Sequence, residues 1–453
     1  MSDETFQTPY EDGKLDEQLA LHMEFIEQCA AEDDEGRQVL LATPPENRYL
    51  YVYPRDCSCA AQLFRRLAGS RAGYSAGPLV YRLLEDMASF IRRAQAPDGS
   101  WGQRYDLDAS SKAIYVQEDN VAHGISILCS YLLTALRLEK EPEELEACLE
   151  AVNRGLQHAL DEVYDREIDL FRSTTSLHES ALESGYTLWV NLSYLFAFSL
   201  ADEVDTKMDT HELIDDRHLE FRERFLYTVN ELFMDGDQYI RRIRPDGSMD
   251  HRTDVSLLSP HYYGFLHYQD QLRKSVERMT KQLWDPELGM VQRYLPFKDD
   301  PAVHIHAGSG PWMNYTAMLA QFYFWDGKQE KGEELLDAID RYRTPEGAIP
   351  EHLSTCGRFE SFMRQEWQTG VDFEKEFDEE ILIPGTPFDL ILEEAGHMRD
   401  AYHAIDRRYR HEDPEAEEGG YTQFAAPLMW SHVEYARALM TRAGDWWKLW
   451  HQD

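Results

Sequence analysis

Lysine is scarce in this chain of 453 residues, which has 11 lysines against 34 arginines. Aspartate and glutamate together number 84, so the formal net charge is -39. A charge of that sign and size repels nucleic acids and anionic membrane surfaces, and it excludes both as predicted partners. Acidity combined with lysine depletion is typical of proteins that work in concentrated salt, and we predict a halophilic protein. The alternative is an acidic protein from ordinary salt, kept soluble by its charge.

Metal-binding patterns and long apolar runs are also lacking. The Cys57-x-Cys59 pair has no second pair to complete a four-ligand zinc site. His304 and His306 have no third ligand at suitable spacing, so we predict no metal and no cofactor. No apolar stretch reaches the roughly 18 residues of a membrane span. The acidic N-terminus lacks the features of a signal peptide, which predicts a cytoplasmic protein with reduced thiols.

Helical periodicity is the strongest signal that the sequence does contain. Apolar residues recur at the spacing of an α-helix in nine segments, whereas strand signals are few and short. The segments are 79–94, 122–138, 144–160, 188–200, 219–234, 272–283, 312–325, 331–342 and 428–442. The chain is therefore predicted to be mainly α.

A second kind of segment recurs between the helices. Each begins with a turn signal and continues with a few apolar or aromatic residues and an arginine. The four segments are PDGSWGQRYD (97–106), YDREIDLFRS (164–173), MDGDQYIRRI (234–243) and WDPELGMVQRYL (284–295). Alternation of helices with such loops predicts helical hairpins set around a ring, with the loops grouped at one end.

The charged pair Arg55-Asp56 stands in aromatic surroundings, after Tyr51 and Tyr53. An arginine fork beside a carboxylate acceptor suits two neighbouring sugar hydroxyls, although a structural ion pair at a helix start is an equal alternative. Carbohydrate hydrolysis also needs aromatic faces and two carboxylic groups. Side chains that offer rings, or that fill the core instead, are Trp101, Tyr105, Trp312 and Tyr315.

Six segments resemble motifs of the glucoamylase family of glycoside hydrolases and follow the order of that family from about residue 45 to 442. They are YVYPRD (51–56), APDGSWGQRYDLD (96–108), VQEDNVAHGISIL (116–128), GSGPWMNYTAMLAQFYF (308–324), GAIPEHL (347–353) and APLMWSHVEYARAL (426–439). The resemblance implies an (α/α)6 barrel, a toroid of helical hairpins, as one catalytic-type domain over residues 46–453. Residues 1–45 would be an N-terminal segment and first helix packed on the barrel. We expect the short form, because the β-sandwich that precedes the barrel in many prokaryotic members has no room before Arg55.

The resemblance also implies the roles of the charged residues. Arg55 and Asp56 would hold the non-reducing-end glucose, and Glu351 in the Pro-Glu loop would be the general base. The acid loop of the family usually reads Trp-Glu-x-x-Gly, whereas this chain has SLHESALESGY (176–186). Glu179 and Glu183 both fall where the general acid should project, and we favour Glu179.

Further residues are predicted to line a sugar pocket: Tyr53, Trp101, Gln117, Glu118, Asp119, Arg293 and Trp312. Glu118 would alternatively tune the acid through its charge, and Arg293 would alternatively pin its loop to a neighbour. His432 and Glu434 match the closing helix of the family, where we expect packing and hydrogen bonding rather than chemistry.

The function predicted from these residues is an inverting, exo-acting α-glucosidase. Its substrate would be an α-1,4-linked glucan or a malto-oligosaccharide, and its product β-glucose. The altered acid loop keeps a second hypothesis open, in which the barrel is catalytically silent and serves as a glycan-binding or regulatory protein. A glycoside phosphorylase would need a phosphate site, for which the sequence shows no convincing basic cluster beside the base loop.

Overall fold

The computed structural model describes residues 12–47, 49–69, 77–179, 183–210, 213–214, 216–294, 310–355, 383 and 421–444. Helices dominate these ranges, as the periodicity predicts. They are α1 (Asp12–Gln28), α2 (Pro54–Gly69), α3 (Gly77–Ala94), α4 (Asp119–Arg137), α5 (Leu145–His158), α6 (Leu188–Met208), α7 (Asp216–Leu232), α8 (Ser259–Tyr262), α9 (Gln269–Leu283), α10 (Met313–Trp325), α11 (Gln329–Arg341) and α12 (Met429–Arg442). All nine predicted helical segments coincide with helices.

Six helices form a closed inner ring. Contacts run from α2 to α4, α6, α8, α10 and α12, and α12 returns to α2. Helices α2, α4, α6, α10 and α12 are buried around nearly their whole circumference. Burial on all sides is what a helix enclosed by other helices requires.

The other helices pack outside this ring. Helix α1 contacts α12, α3 contacts α2 and α4, α5 contacts α4, α7 contacts α6, and α11 contacts α10. Helix α9 packs on the 3-10 turn Val255–Leu258 that precedes α8. It buries Leu272, Val276, Met279 and Leu283, which lie three or four residues apart on one helix face. Within the described ranges, six inner and six outer helices make an (α/α)6 barrel, which confirms the predicted fold class.

Short strands connect the helices. The pairs are β1–β2 (Ala30–Glu32, Gln38–Leu40), β3–β4 (Tyr164–Asp165, Leu170–Phe171), β6–β7 (Met234–Asp235, Gln238–Tyr239), β10–β11 (Trp284–Asp285, Met290–Val291) and β12–β13 (His352–Thr355, Tyr421–Phe424). A three-stranded sheet has the order β5 (Tyr186–Thr187), β8 (Arg242–Ile243), β9 (Met249–Asp250). Three of the four predicted turn segments are therefore small antiparallel hairpins, and the fourth is a turn bridged to Val52 through Tyr105.

Isolated bridges tie together the segments that precede inner helices. Val52, before α2, pairs with Tyr105, and Gln117, before α4, pairs with Thr175. Trp312, before α10, pairs with His352. These bridges bring the sequence motifs, which are far apart along the chain, to one end of the barrel.

Five cysteines in the described ranges are free and buried: Cys29, Cys57, Cys59, Cys129 and Cys148. Within the part of the chain that the structure describes, no helix is long and apolar enough to span a membrane. Helix α1 packs on α12. The division into residues 1–45 and 46–453 stays a prediction.

Candidate active site

Arg55 lies in the first turn of α2 and points toward the loop of the predicted acid. Pro54 begins the helix, a position where its missing N–H costs nothing. Nη1 of Arg55 donates to the carbonyl of Ser176 (2.9 Å), and Nη2 donates to Oε1 of Glu179 (3.2 Å). The guanidinium also lies 5.8 Å from the ring centre of Trp430 on α12. It therefore joins three separate elements at the end of the barrel.

Asp56 is beside it and only 7% exposed. Burial raises the pKa of Asp56 to about 7, Arg55 opposes this rise, and the charges of Glu179 and Glu351 add to it. The negative potential of both predicted catalytic carboxylates therefore reaches one buried carboxyl group. Glu179 and Glu351 are 172 residues apart in the sequence, and both act on the buried Asp56.

Glu179 ends the described part of the acid loop with a left-handed backbone, at φ of 55°. That conformation is unusual for a residue with a side chain and tends to occur at functional sites. Its Oε1 accepts hydrogen bonds from Arg55 and from Nε2 of Gln103 (3.1 Å), and its side chain is 20% exposed. Glu179 therefore joins the Arg55 cluster and still reaches solvent.

Glu183, the other candidate acid, has a different environment. It is 2% exposed, and its Oε2 accepts from the backbone N–H groups of Ser176 and His178, each at 2.8 Å. A buried carboxylate bound by two main-chain donors holds a loop in its shape. Glu183 is therefore placed to stabilise the acid loop, whereas Glu179, which contacts Arg55, is the candidate acid.

Glu351 is held from two sides. Its Oε2 accepts from the hydroxyl of Tyr49 and lies within hydrogen-bond distance of Nδ1 of His352, both at 3.2 Å. Its backbone N–H donates to the carbonyl of Phe424 in β13 (2.8 Å). Gly347 allows the tight turn before it through a φ of 93°. Oε1 has no partner among the described residues, so one oxygen is oriented and the other can accept a proton.

Arg293 belongs to a buried chain of charged groups behind the acid loop. Its Nε donates to Nδ1 of His178 (2.9 Å), and Nη2 donates to the carbonyl of Leu177. Because Nδ1 accepts, the proton of the neutral ring is on Nε2, which donates to Oδ2 of Asp254 (3.0 Å). Burial lowers the pKa of His178, which agrees with a neutral ring. Arg241 pairs with the same oxygen of Asp254 at 2.6 Å.

Two of the three predicted binding residues around the start of α4 contact the acid loop. Gln117 donates from Nε2 to the carbonyl of Ser176 (3.1 Å). Both carboxylate oxygens of Glu118 accept from Thr174, one from its N–H (2.8 Å) and one from its hydroxyl (2.6 Å). Burial raises the pKa of Glu118 to about 7. Asp119 is fully buried, and its charge acts on Arg55.

The predicted aromatic residues divide into two groups. Tyr53 is half-buried and meets Tyr49 edge to face, so it borders the base. Trp101 is 2% exposed, and its indole N–H donates to the carbonyl of Ile91 (2.8 Å). A Cβ on Gly124 would come within 2.5 Å of its ring, so the ring fills a notch in α4. The expectation that Trp101 lies in the sugar pocket is therefore corrected, because its ring is packed in the core.

Trp312 is near the site but largely covered, at 7% exposed. The guanidinium carbon of Arg293 lies 4.7 Å from its ring centre, and His352 stacks on it with centroids 4.9 Å apart. Little ring surface remains for a sugar.

Three residues that contact Glu179 or Glu351 were not predicted from the sequence: Tyr49, Gln103 and His352. Tyr49 lies two residues before the YVYPRD motif. It continues the alternation of Tyr51 and Tyr53, and this alternation could have identified it as a site residue. Gln103 and His352 are inside quoted motifs, but nothing local shows which carboxylate each contacts.

No group of three or more potential metal ligands occurs within the described ranges. His304 and His306, for which a metal role was rejected above, lie outside those ranges, as does Cys356. Glu434 has the packing environment expected of it, since its Oε1 accepts from Tyr262 and Trp430, both at 2.9 Å.

Comparison with known proteins places this geometry in context. No protein-family model matches the chain, and no curated protein matches it either. Solved structures do match. A glycosidase in complex with glucose has 15% identity and a TM-score of 0.61, with 96% of this chain and 99% of that chain covered. A bacterial glucoamylase complexed with acarbose has 13% identity and a TM-score of 0.60, with 96% and 56% covered.

A fungal structure gives the same result. The glycoside hydrolase family 15 glucoamylase from Hypocrea jecorina has 14% identity and a TM-score of 0.56, with 96% of this chain and 72% of that chain covered. At identities this low the likeness shows the fold alone, and it extends over 96% of this chain. The chain has the (α/α)6-barrel fold of the glucoamylases.

Proposed function

We propose that this protein is an inverting glycoside hydrolase, an exo-acting α-glucosidase that releases β-glucose from α-1,4-linked glucans or malto-oligosaccharides. The observation that carries the proposal is the convergence on Asp56. Arg55, the neighbour of Asp56, donates to Glu179 (3.2 Å), Tyr49 donates to Glu351 (3.2 Å), and the charges of both carboxyl groups act on Asp56. Structures of the same fold hold glucose or acarbose, which supports a sugar as the substrate.

Glu351 is the general base in this mechanism. Tyr49 and His352 both contact Oε2, which orients the carboxylate and directs Oε1 toward the attacking water. An inverting enzyme needs that water between its two carboxyl groups, which stand roughly 6.5 to 9.5 Å apart. The water attacks the anomeric carbon while Glu351 takes its proton.

Glu179 is the general acid, and it protonates the oxygen of the leaving group. In the free protein, Arg55 and Gln103 both donate to Oε1 of Glu179. Sugar hydroxyls bound by Arg55 and Asp56 would compete for the guanidinium. Glu179 gives one proton to the leaving oxygen and Glu351 takes one from the water, and both groups return to their starting states by proton exchange with solvent after the product leaves.

The first experiment follows the anomer that is formed. Proton NMR of maltotriose with the purified protein in high salt should show β-glucose first, in the same yield with or without phosphate. Appearance of glucose 1-phosphate only when phosphate is present would instead identify a phosphorylase. Binding of maltotriose without turnover would identify the silent glycan-binding protein.

The second experiment assigns the two carboxyl groups. α-Glucosyl fluoride needs no protonation of its leaving group, so only the base is required. We expect Glu179→Gln to lose maltotriose hydrolysis by a factor of about 100 or more and to retain fluoride hydrolysis, whereas Glu351→Gln loses both. Glu183→Gln is the matched variant in the acid loop, and it should lower the melting temperature. If Glu183→Gln gives the fluoride-selective pattern instead, Glu183 is the acid; an active Glu351→Gln protein contradicts the base assignment.

A further inference from the structure

A continuous stack of side chains runs between the acid loop and the base. The guanidinium of Arg293 lies over the ring of Trp312, with 4.7 Å from its central carbon to the ring centre. The ring of Trp312 is stacked on His352, with centroids 4.9 Å apart and planes 21° from parallel. Three flat groups in succession thus form a compact column, here named the spacer stack (Arg293, Trp312 and His352).

Each end of the spacer stack is one or two residues from a candidate catalytic carboxyl group. Arg293 donates to Nδ1 of His178 and to the carbonyl of Leu177, the two residues that precede Glu179. At the other end, Nδ1 of His352 lies 3.2 Å from Oε2 of Glu351.

The backbone reinforces the base end of the spacer stack. Trp312 and His352 form an antiparallel bridge, in which the N–H of Met313 donates to the carbonyl of Glu351 (2.9 Å) and Leu353 donates to Pro311 (3.0 Å). The ring of Phe424 packs against His352 with centroids 4.8 Å apart. Main-chain and side-chain contacts together hold the Trp312 and His352 planes.

The acid end is anchored by buried charge. His178 is bound on its other nitrogen by Asp254, which is paired with Arg241. Although burial alone would raise the pKa of Asp254, the charge of Arg241 and the contact with His178 hold it well below its usual range. Asp254 is therefore ionised and keeps the imidazole in the tautomer that accepts from Arg293.

We propose that the spacer stack sets the distance between the carboxyl groups of Glu179 and Glu351, and that Trp312 is a positioning residue rather than a surface on which a sugar stacks. The catalytic meaning of that distance rests on the proposed function. An error of about 1 Å in a catalytic geometry can cost on the order of 100-fold in rate, so a rigid column between two loops has a clear use.

The test compares two tryptophans of the same helix. Trp312 immediately precedes α10, and Trp325 ends it, about 20 Å away at 1.5 Å per residue. Trp325 also contacts an arginine, with 5.6 Å from the guanidinium carbon of Arg273 to the ring centre. Trp325→Leu thus removes the same kind of contact from the far end of α10, and Trp312→Phe keeps a flat ring at the near end.

Crystal structures of the wild type, Trp312→Leu, Trp312→Phe and Trp325→Leu give the separation of the Glu179 and Glu351 Cδ atoms directly. We expect a change of about 0.5 Å or more in Trp312→Leu and no change in Trp325→Leu. Activity on α-glucosyl fluoride and maltotriose should fall about 10- to 100-fold in kcat for Trp312→Leu, with KM nearly constant. Trp312→Phe should recover most of that loss.

An unchanged carboxyl separation in Trp312→Leu overturns the spacer stack, whether or not the protein is an enzyme. A raised KM with normal kcat does so as well, because it makes Trp312 a substrate-binding ring. If Trp325→Leu loses as much kcat as Trp312→Leu, the loss in both variants reflects general destabilisation and not the spacer stack. If the wild-type protein shows no turnover, only the proposed function is contradicted. The crystal structures of the variants still show whether the spacer stack sets the separation of the two carboxyl groups.

Discussion

A carboxyl group buried as deeply as that of Asp56 destabilises the folded chain when it is ionised. Its pKa of about 7 lies above the ordinary value of 3.8, so the folded state binds the proton more tightly than the unfolded state. The contribution of Asp56 to the free energy of unfolding is then highest below pH 3.8, falls as the pH rises toward 7, and stays low above it. The charge of Arg55 does not fully offset the effect of burial on the pKa of Asp56. A loss of stability of this kind is typical of residues that are retained for function.

Replacing Asp56 by Asn should therefore stabilise the protein at pH 8 and weaken its activity. The gain in the free energy of unfolding has an upper bound of about 4 kcal/mol, from a shift of about three pKa units, and it should vanish near pH 4. Urea unfolding at the two pH values measures it.

Asp98→Asn is a suitable control for this prediction. Asp98 lies in an exposed turn, and its pKa is lowered, because hydrogen bonds from Ser100 outweigh the effect of burial. This variant should give no gain at pH 8. A loss of stability in Asp56→Asn at pH 8 would show that the attraction of the Arg55 charge outweighs the effect of burial.

At the scale of elements, a pair of buried histidines joins α1, α12 and the base loop. Nδ1 of His22 and Nδ1 of His432 are 3.0 Å apart, and the N–H of Ile349, two residues before Glu351, donates to Nε2 of His432 (2.9 Å). His432 must then donate from Nδ1 to His22, so both rings are neutral. Burial lowers the pKa of both histidines well below 6.5.

Acid should loosen this junction before it unfolds the rest. Below pH 6.5 the unfolded chain takes up protons at both histidines while the folded chain does not, so stability falls with falling pH by up to about 1.4 kcal/mol per histidine per unit. A His22→Gln and His432→Gln double variant keeps donors and acceptors but cannot titrate. Its loss of unfolding free energy between pH 7.5 and 5.5 should be smaller than that of the wild type.

His251→Gln is the matched surface control, since the side chain of His251 is 59% exposed, and this change should leave the pH dependence unaltered. If the double variant loses as much stability as the wild type, the acid sensitivity comes from other groups.

Periodicity located nine of the twelve helices in the described ranges but did not predict α1, α2 or α8. Helix α2 buries Arg55, Asp56, Gln62 and Arg65 along with its apolar residues, so its polar positions break the apolar pattern. Helix α8 has four residues and shows no period at all. An inner helix that carries site residues is enclosed on every side, and burial there no longer follows hydrophobicity.

At the scale of the whole molecule, the charge of -39 makes stability depend on salt. Repulsion among surface carboxylates favours expansion, and the screening length falls from about 10 Å at 0.1 M salt to about 3 Å at 1 M. We expect the melting temperature to rise by more than about 5 °C between 0.1 and 2 M KCl. Sucrose, which stabilises proteins without screening charge, should not substitute for KCl at low salt. A melting temperature independent of salt contradicts the predicted halophilic character.

The sequence by itself determined the helical class, the small turn segments between helices and the order of the motifs, because these depend on residues within a few positions of each other. The helical hairpins around a ring were therefore predictable, and the barrel class and the Arg55-Asp56 motif followed from the resemblance that the motifs carry. Glu351 was singled out by the same local signals, through the turn before it and its motif, and its role as the base stays a prediction.

Only the tertiary structure decided how Glu179 and Glu183 differ. The two are four residues apart, yet Glu183 turns back to the main-chain amides of its own loop while Glu179 meets Arg55, 124 residues away in the chain. The same holds for Trp101 in its core notch and Trp312 under Arg293. Which donor a carboxylate meets, and which ring stays open, depends on how distant segments approach one another, and no local pattern records that approach.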